Sequence, residues 1–203
     1  PLFKGGQTDK VYSVTTLAAP HNGTSFFEAT GGFSNALVKI FCSLAAFSGS
    51  TRLNKLFDPM LDQFGLSYLP GSSSGVNCDI SKLSAFINSK DNAFYDLTID
   101  GAAEINKTIT AQPGVYYYSY AGTKTSKSRW TGNYVPNFGI NTLMLPYAYA
   151  IGKYTGVTAG GRVIDEKWLE NDGLVNTISA RAPFDEPSKV YRSAEKVQPG
   201  IWY

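Results

Sequence analysis

The sequence is poor in the groups that carry out most protein chemistry. Its 203 residues include one histidine, His21, and two cysteines, Cys42 and Cys78. That excludes a tetrahedral Cys/His zinc site assembled within the chain. The two cysteines lie in separate segments and leave two readings open, a disulfide or a pair of unrelated buried thiols. Charge is also sparse: 17% of residues are charged, and 18 Lys plus Arg against 16 Asp plus Glu leave a net +2. With no block of like sign to track a phosphate backbone, nucleic acid is excluded as a partner. The chain has no basic stretch followed by an apolar leader segment, and it opens on PLFKGG rather than an initiating Met. It is therefore expected to be an excised or processed piece.

What is present fits one folded domain. The length buries a real core and is too short for two domains. Aromatics make up 14% of the residues, with 20 glycines and 10 prolines. This is a tyrosine-rich globule rather than a disordered, collagen-like or coiled-coil chain. KVYSVTTLAAP, residues 10–20, is β-branched and apolar, and it stops at Pro20 before the polar turn HNGT, which predicts a buried strand. VYYYSYAGT, residues 115–123, predicts a second strand. Phe33, Leu37, Ile40, Phe41, Leu44 and Phe47 recur at helical spacing, with Lys39 the only charge between Glu28 and Arg52. Such a helix has almost no solvated face, yet it is too short and polar to span a bilayer. Leu53 to Phe64 form a second apolar stripe, interrupted at Pro59. Asp79 is expected to cap a helix carrying Ile80, Leu83, Phe86 and Ile87. Asp100 is expected to cap another, with Glu104 near its positive end. Residues 124–162 have weak periodicity and read as a long irregular, functional loop. Strand, helix and strand followed by an acidic turn point to an α/β fold. Two strands leave open edges, however, and a small α+β domain is the alternative.

Several groupings invite a chemical reading. Gly71-Ser72-Ser73-Ser74-Gly75 matches the G-x-S-x-G nucleophile pattern, but the preceding FGLSYLP ends in proline and no helix follows at once. A serine-rich surface loop is the better account. His21 is the only neutral-pH general base of the usual kind. In PHNGT it suits either a catalytic loop or a histidine hydrogen-bonded across a strand end. Asp172, in an Asn-Asp-Gly turn, could orient a histidine or cap its own turn. Tyr116, Tyr117, Tyr118, Trp130, Tyr134, Tyr147 and Tyr149 could form a carbohydrate or lipid platform or be half-buried packing. Asn22-Gly23-Thr24 and Asn106-Lys107-Thr108 fit the N-glycosylation pattern, which arises often by chance.

SVTTLAAPHNGT, LDQFGL, YDLTIDGAAEIN, YYYSYAG, TGNYVPNFGIN and DEKWLENDGLVNTIS occur in that order across nearly the whole chain. Together they resemble the C-terminal half of the secreted bacterial triacylglycerol lipases of the thermoalkalophilic Bacillus and staphylococcal type. The resemblance implies a partial α/β-hydrolase fold, residues 1–203 forming part of a single domain with central-to-late strands. It also implies lid helices in a cap region over residues 24–75. Catalytic Ser, Asp and His follow in that chain order. Asp172 matches the triad aspartate, and His21 matches a turn that is not the triad base. The nucleophile and oxyanion-hole segments belong upstream of residue 1 and the catalytic histidine downstream of VQPGIWY. Asp91 matches a zinc-ligating aspartate and Gly139 a calcium-ligating carbonyl. The other ligands of Ca2+ and Zn2+ lie outside this chain, so neither site is complete here.

The implied activity is hydrolysis of triacylglycerols or long-chain esters by a secreted enzyme that meets a lipid–water interface through its lid helices. The rest of the parent chain is then an obligatory partner. Two other readings stand beside it: a non-catalytic lipid- or partner-binding fragment derived from a lipase, and a hydrolase built from Ser73, His21 and Asp172.

Overall fold

A computed structural model describes residues 10–32, 66–68, 76–78, 89–90 and 92–203, with the backbone alone at 66–68 and 76–78. Its centre is a parallel pair, β1 (Ser13–Leu17) and β4 (Tyr116–Tyr120), aligned Ser13 to Tyr116 through Leu17 to Tyr120. Both strands lie inside the β-branched and tyrosine-rich runs that predict them. The far edge of β4 is also taken. Trp202 bridges Tyr117 in parallel, Tyr203 N–H donates to Tyr117 O at 3.1 Å, and Ser119 N–H donates to Tyr203 O at 2.8 Å. Ser188 in turn bridges Trp202. These short segments widen the parallel pair beyond the two strands visible in the sequence.

Side chains of this sheet build one core cluster: Val115, Tyr117, Ala182 and Trp202, with Val11, Val14 and Ala111 against it. A second cluster, Ile99, Ile164 and Trp168, sits under the helices. On β1 only alternate residues are covered, and Tyr12 and Leu17 stand out in solvent. Two short antiparallel strands, β2 (Leu66–Tyr68) and β3 (Val76–Cys78), pair elsewhere in the chain.

The helices are short. α1 is Phe26–Ala29, α2 Ala93–Asp96 and α3 Ile99–Asn106. α3 corrects the expectation for Asp100: the cap is Thr98, whose side chain accepts from Gly101 N–H, and Asp100 lies within the first turn. Asp100 instead accepts from the Thr158 hydroxyl at 2.7 Å and from Gly160 N–H at 2.8 Å. Glu104 falls in the last turn, where it meets Lys90 and the Tyr95 hydroxyl. The helices expected from Phe33 to Phe47, from Leu53 to Phe64 and after Asp79 lie outside the described residues.

Residues 124–162 are not the irregular loop their weak periodicity suggests. They hold the hairpin β5 (Thr125–Lys127) with β6 (Tyr134–Pro136), then α4 (Leu145–Ile151), and then β7 (Gly156–Val157) paired with β8 (Val163–Ile164). Strands of two or three residues are too short for a period-2 pattern to emerge. A 3-10 turn at Glu166–Trp168 and α5 (Thr177–Arg181) complete the described chain. Among the described residues no helix is long and apolar enough to cross a membrane.

Candidate functional site

In an open parallel sheet, ligands gather beyond the carboxyl ends of the strands, where loops rather than hydrogen-bonded backbone face outward. Two loops meet there. After β1 the chain turns at Ala18, held at φ +48, and enters PHNGT. After β4 it passes Gly122, whose carbonyl accepts from the Thr177 hydroxyl at 3.1 Å. The Asn-Asp-Gly turn lies across both: Lys124 N–H donates to Asn171 O at 2.9 Å, and the Thr24 hydroxyl donates to Leu174 O at 2.5 Å.

The turn is a tight reversal. Asn171 and Asn176 form an antiparallel bridge, Thr177 N–H donates to Glu170 O, and Asp172 N–H donates to Val175 O. Gly173 is required at its tip: its φ is +115, and a Cβ there would come within 2.9 Å of Met144. Asp172 itself is half-buried. Its Oδ1 accepts from Leu174 N–H at 2.9 Å and Val175 N–H at 2.8 Å, so one carboxylate oxygen is fixed by the turn it creates. Among the described residues no donor reaches Oδ2, which lies 4.0 Å from the position a Cβ would take on Gly122. A carboxylate so held has a defined orientation and one oxygen left to receive an N–H.

A buried amide and hydroxyl network that the sequence reading missed locks these loops together. Asn171 is fully buried. Its amide donates to Leu169 O at 2.9 Å and Ala148 O at 3.3 Å, and its Oδ1 accepts from Gly173 N–H. Its backbone exchanges two 3.0 Å bonds with the Thr125 hydroxyl. Asn176 accepts from Ser25 N–H and donates to the Ser25 hydroxyl, both at 2.8 Å, and also donates to Trp168 O. The Ser179 hydroxyl accepts from Asn22 N–H at 2.9 Å and donates to Gly23 O at 2.6 Å. The Asn22 amide donates to Ala182 O at 2.8 Å. With Asn22 buried in this way, and the Asn106 amide donating to His21 O at 2.8 Å, neither asparagine offers a free amide for glycosylation.

His21 takes the strand-end role. Its Nε2 lies 3.0 Å from the Thr16 hydroxyl, its ring meets the edge of Trp202 at 4.7 Å, and burial lowers its pKa. No hydrogen bond joins it to Asp172. Ser73 and Asp91 lie outside the described residues, as do the side chains of Cys42 and Cys78. Of the aromatic set, Tyr117 is core, its hydroxyl accepting from Gln112 N–H, and Tyr147 packs on Phe26. Trp130 stands fully in solvent.

Gly139, at φ +80, has the Lys124 ammonium 3.8 Å from where its Cβ would be. Among the described residues no three His, Cys, Asp or Glu side chains gather as metal ligands. A groove of about 820 Å³ opens beside β4, lined by Tyr118, Tyr120, Arg181, Val190, Tyr191 and Trp202. Neither Asp172 nor His21 lines it.

Lipase 1 of Staphylococcus aureus is 34% identical over 203 residues, covering all of this chain and 28% of that protein. Lipase 2 of the same species matches at 34% over the same extent. The chain thus spans little over a quarter of these relatives. The structure of EstA from Clostridium botulinum superposes with a TM-score of 0.70 at 31% identity, covering 94% of this chain and 45% of that one. Staphylococcus hyicus lipase superposes with a TM-score of 0.70 at 29% identity, covering 99% and 48%. A family model described as "Lipase-like, C-terminal domain" matches residues 1–203, and the chain belongs to that family.

Proposed function

We propose that this chain is the part of a secreted lipase that supplies the acid of a Ser-His-Asp triad, and that the whole polypeptide hydrolyses triacylglycerols or long-chain esters. The observation that carries the reading is Asp172: half-buried beyond the carboxyl end of a parallel sheet, with Oδ1 held by two backbone N–H groups and no donor on Oδ2 among the described residues. That geometry suits a carboxylate that accepts the Nδ1–H of an imidazole, fixes its tautomer and stabilises the imidazolium. The serine, oxyanion-hole donors and histidine come from the rest of the parent polypeptide. The same reading extends the sheet into a full α/β-hydrolase fold by strands laid against β1. His21, already bonded to Thr16, takes no part in proton transfer.

In the full-length polypeptide, Asp172→Asn lowers kcat for a soluble short-chain ester by roughly 10⁴ while leaving the fold intact. A loss under tenfold removes Asp172 from the triad. The apolar segment Phe33 to Phe47 serves as the lid within the 24–75 cap. If so, truncating Phe41 and Phe47 lowers activity on emulsified lipid more than on the soluble ester, and equal losses assign those side chains to packing. Zinc at Asp91 and calcium at Gly139 require ligands from elsewhere in the parent. Metal content of the purified full-length protein, with and without Asp91→Ala, tests the first of these.

A further inference from the structure

The hairpin β5–β6 carries two large exposed aromatic side chains, one at its connecting loop and one at its open end. Trp130, in the connecting loop, is 97% exposed, and Phe138, just past β6, is 102% exposed. Leaving such side chains in water forgoes most of the burial free energy that a core position would return. The sequence around them is one-signed. No Asp or Glu occurs from residue 105 to residue 164, while Lys107, Lys124, Lys127, Arg129, Lys153 and Arg162 do. Lys127 and Arg129 are exposed within three residues of Trp130, and Lys124 lies beside Gly139, next to Phe138. Among the described residues none of these three cations is in an ion pair.

The loop is also ordered in advance. Ser128 N–H donates to Asn133 O at 2.7 Å, Gly132 N–H donates to Ser128 O at 3.0 Å, and the Ser126 hydroxyl donates to Asn137 Oδ1 at 2.7 Å. Contact through Trp130 therefore costs little further ordering.

From these observations we infer that the hairpin is a docking surface for a bilayer bearing anionic lipid headgroups, separate from the lid. The hairpin lies along the surface, so that Trp130 at its loop and Phe138 at its open end both enter the headgroup–acyl boundary, with Lys127 and Arg129 meeting phosphates near the first and Lys124 near the second. Aromatic rings with polar edges settle at that boundary, and neighbouring basic residues add attraction to an anionic leaflet that salt screens. The uniform sign of residues 105–164 selects an anionic surface over a neutral one.

The test is co-sedimentation of the full-length polypeptide with vesicles of phosphatidylcholine, alone or mixed with phosphatidylglycerol, in low and in high salt. The unchanged protein partitions at least tenfold more strongly onto the anionic mixture and is released by salt. The pair Trp130→Ser and Phe138→Ser loses at least tenfold. The pair Lys127→Gln and Arg129→Gln loses roughly fivefold per cation on anionic vesicles, and far less on neutral ones. Trp168 and Trp202 are buried, so the part of any blue shift of tryptophan emission on adding vesicles that Trp130→Phe removes reports Trp130. Trp130→Phe keeps the partitioning and loses the shift. Absence of binding, indifference to phosphatidylglycerol, variants that bind like the unchanged protein, or a Trp130 that acrylamide cannot quench in the full-length protein each overturn the inference. Partitioning is read without ester cleavage, so its failure is distinct from a failure of the Asp172 assignment.

Discussion

Glu28, within α1, has one carboxylate oxygen, Oε2, buried and without a partner among the described residues. Burial, reinforced by the charge of Asp100 and opposed by a backbone hydrogen bond, pushes its pKa up to about 7. Between the ordinary carboxylate value and 7 the folded chain therefore binds more protons than the unfolded chain. The stability that comes from a protonated Glu28 is full below about pH 4.5 and is lost as pH rises through 7. Glu28→Gln imposes the neutral form. Melting of the full-length protein across pH 5 to 8 is expected to show the variant's stability relative to the unchanged protein rising by roughly 2–3 kcal/mol between those limits, with the cost of an unpartnered amide lowering both ends alike. A constant difference across that range sinks this account. His21 acts in the opposite sense: burial lowers its pKa, so its contribution is whole above pH 6.5 and is lost as pH falls through the lowered value. Substituting each residue in turn separates the two slopes. His21 was legible only as two alternatives, because a histidine after a strand suits proton transfer and hydrogen bonding equally well until its neighbours Thr16 and Trp202 are known.

At the scale of elements, the Asn-Asp-Gly turn shows what a pattern conveys and what it hides. The tight reversal was readable, since glycine at the tip and an aspartate able to bond the following N–H groups are local properties. The asparagines on either side were not, because key partners come from residues 25, 125 and 148, distant in sequence. The two positions should therefore respond differently. Asn171→Ala leaves Leu169 O, Ala148 O and Gly173 N–H short of a partner in a dry site. It is expected to cost roughly 2–4 kcal/mol of unfolding free energy in urea titration of the full-length protein. Asp172→Asn keeps an acceptor for Leu174 N–H and Val175 N–H and is expected to cost under about 1 kcal/mol while abolishing most turnover. Similar stability losses at both positions would mean that Asp172 is chiefly a structural cap. The short strands at 125–127, 134–136, 156–157 and 163–164 were illegible for another reason: each is fixed by its pairing partner, with no pattern of its own.

At the scale of the whole molecule, the sheet is closed on one side and open on the other among the described residues. β4 is flanked by β1 and by the Trp202 segment, whereas β1 has β4 on one edge only among the described residues. Tyr116 N–H donates to Tyr12 O and Ala18 N–H to Tyr120 O. In a parallel ladder, alternation then sends the amides of Ser13, Thr15 and Leu17 to the other side. A bare parallel edge beside exposed Tyr12 and Leu17 is an unstable end for a sheet. The open question raised by the two predicted strands, what satisfies their edges, thus has half its answer among the described residues, and in the proposed reading strands of the parent polypeptide supply the other half. Amide hydrogen exchange checks this directly. In the full-length protein, Ser13, Thr15 and Leu17 should exchange as slowly as Val14 and Thr16, because a neighbouring strand accepts from them. In residues 1–203 alone they should exchange far faster than Val14 and Thr16, with the alternation along β1 plain in the data. Fast exchange of the same three amides in the full-length protein would show that β1 is a true edge and would remove the basis for completing the hydrolase sheet there.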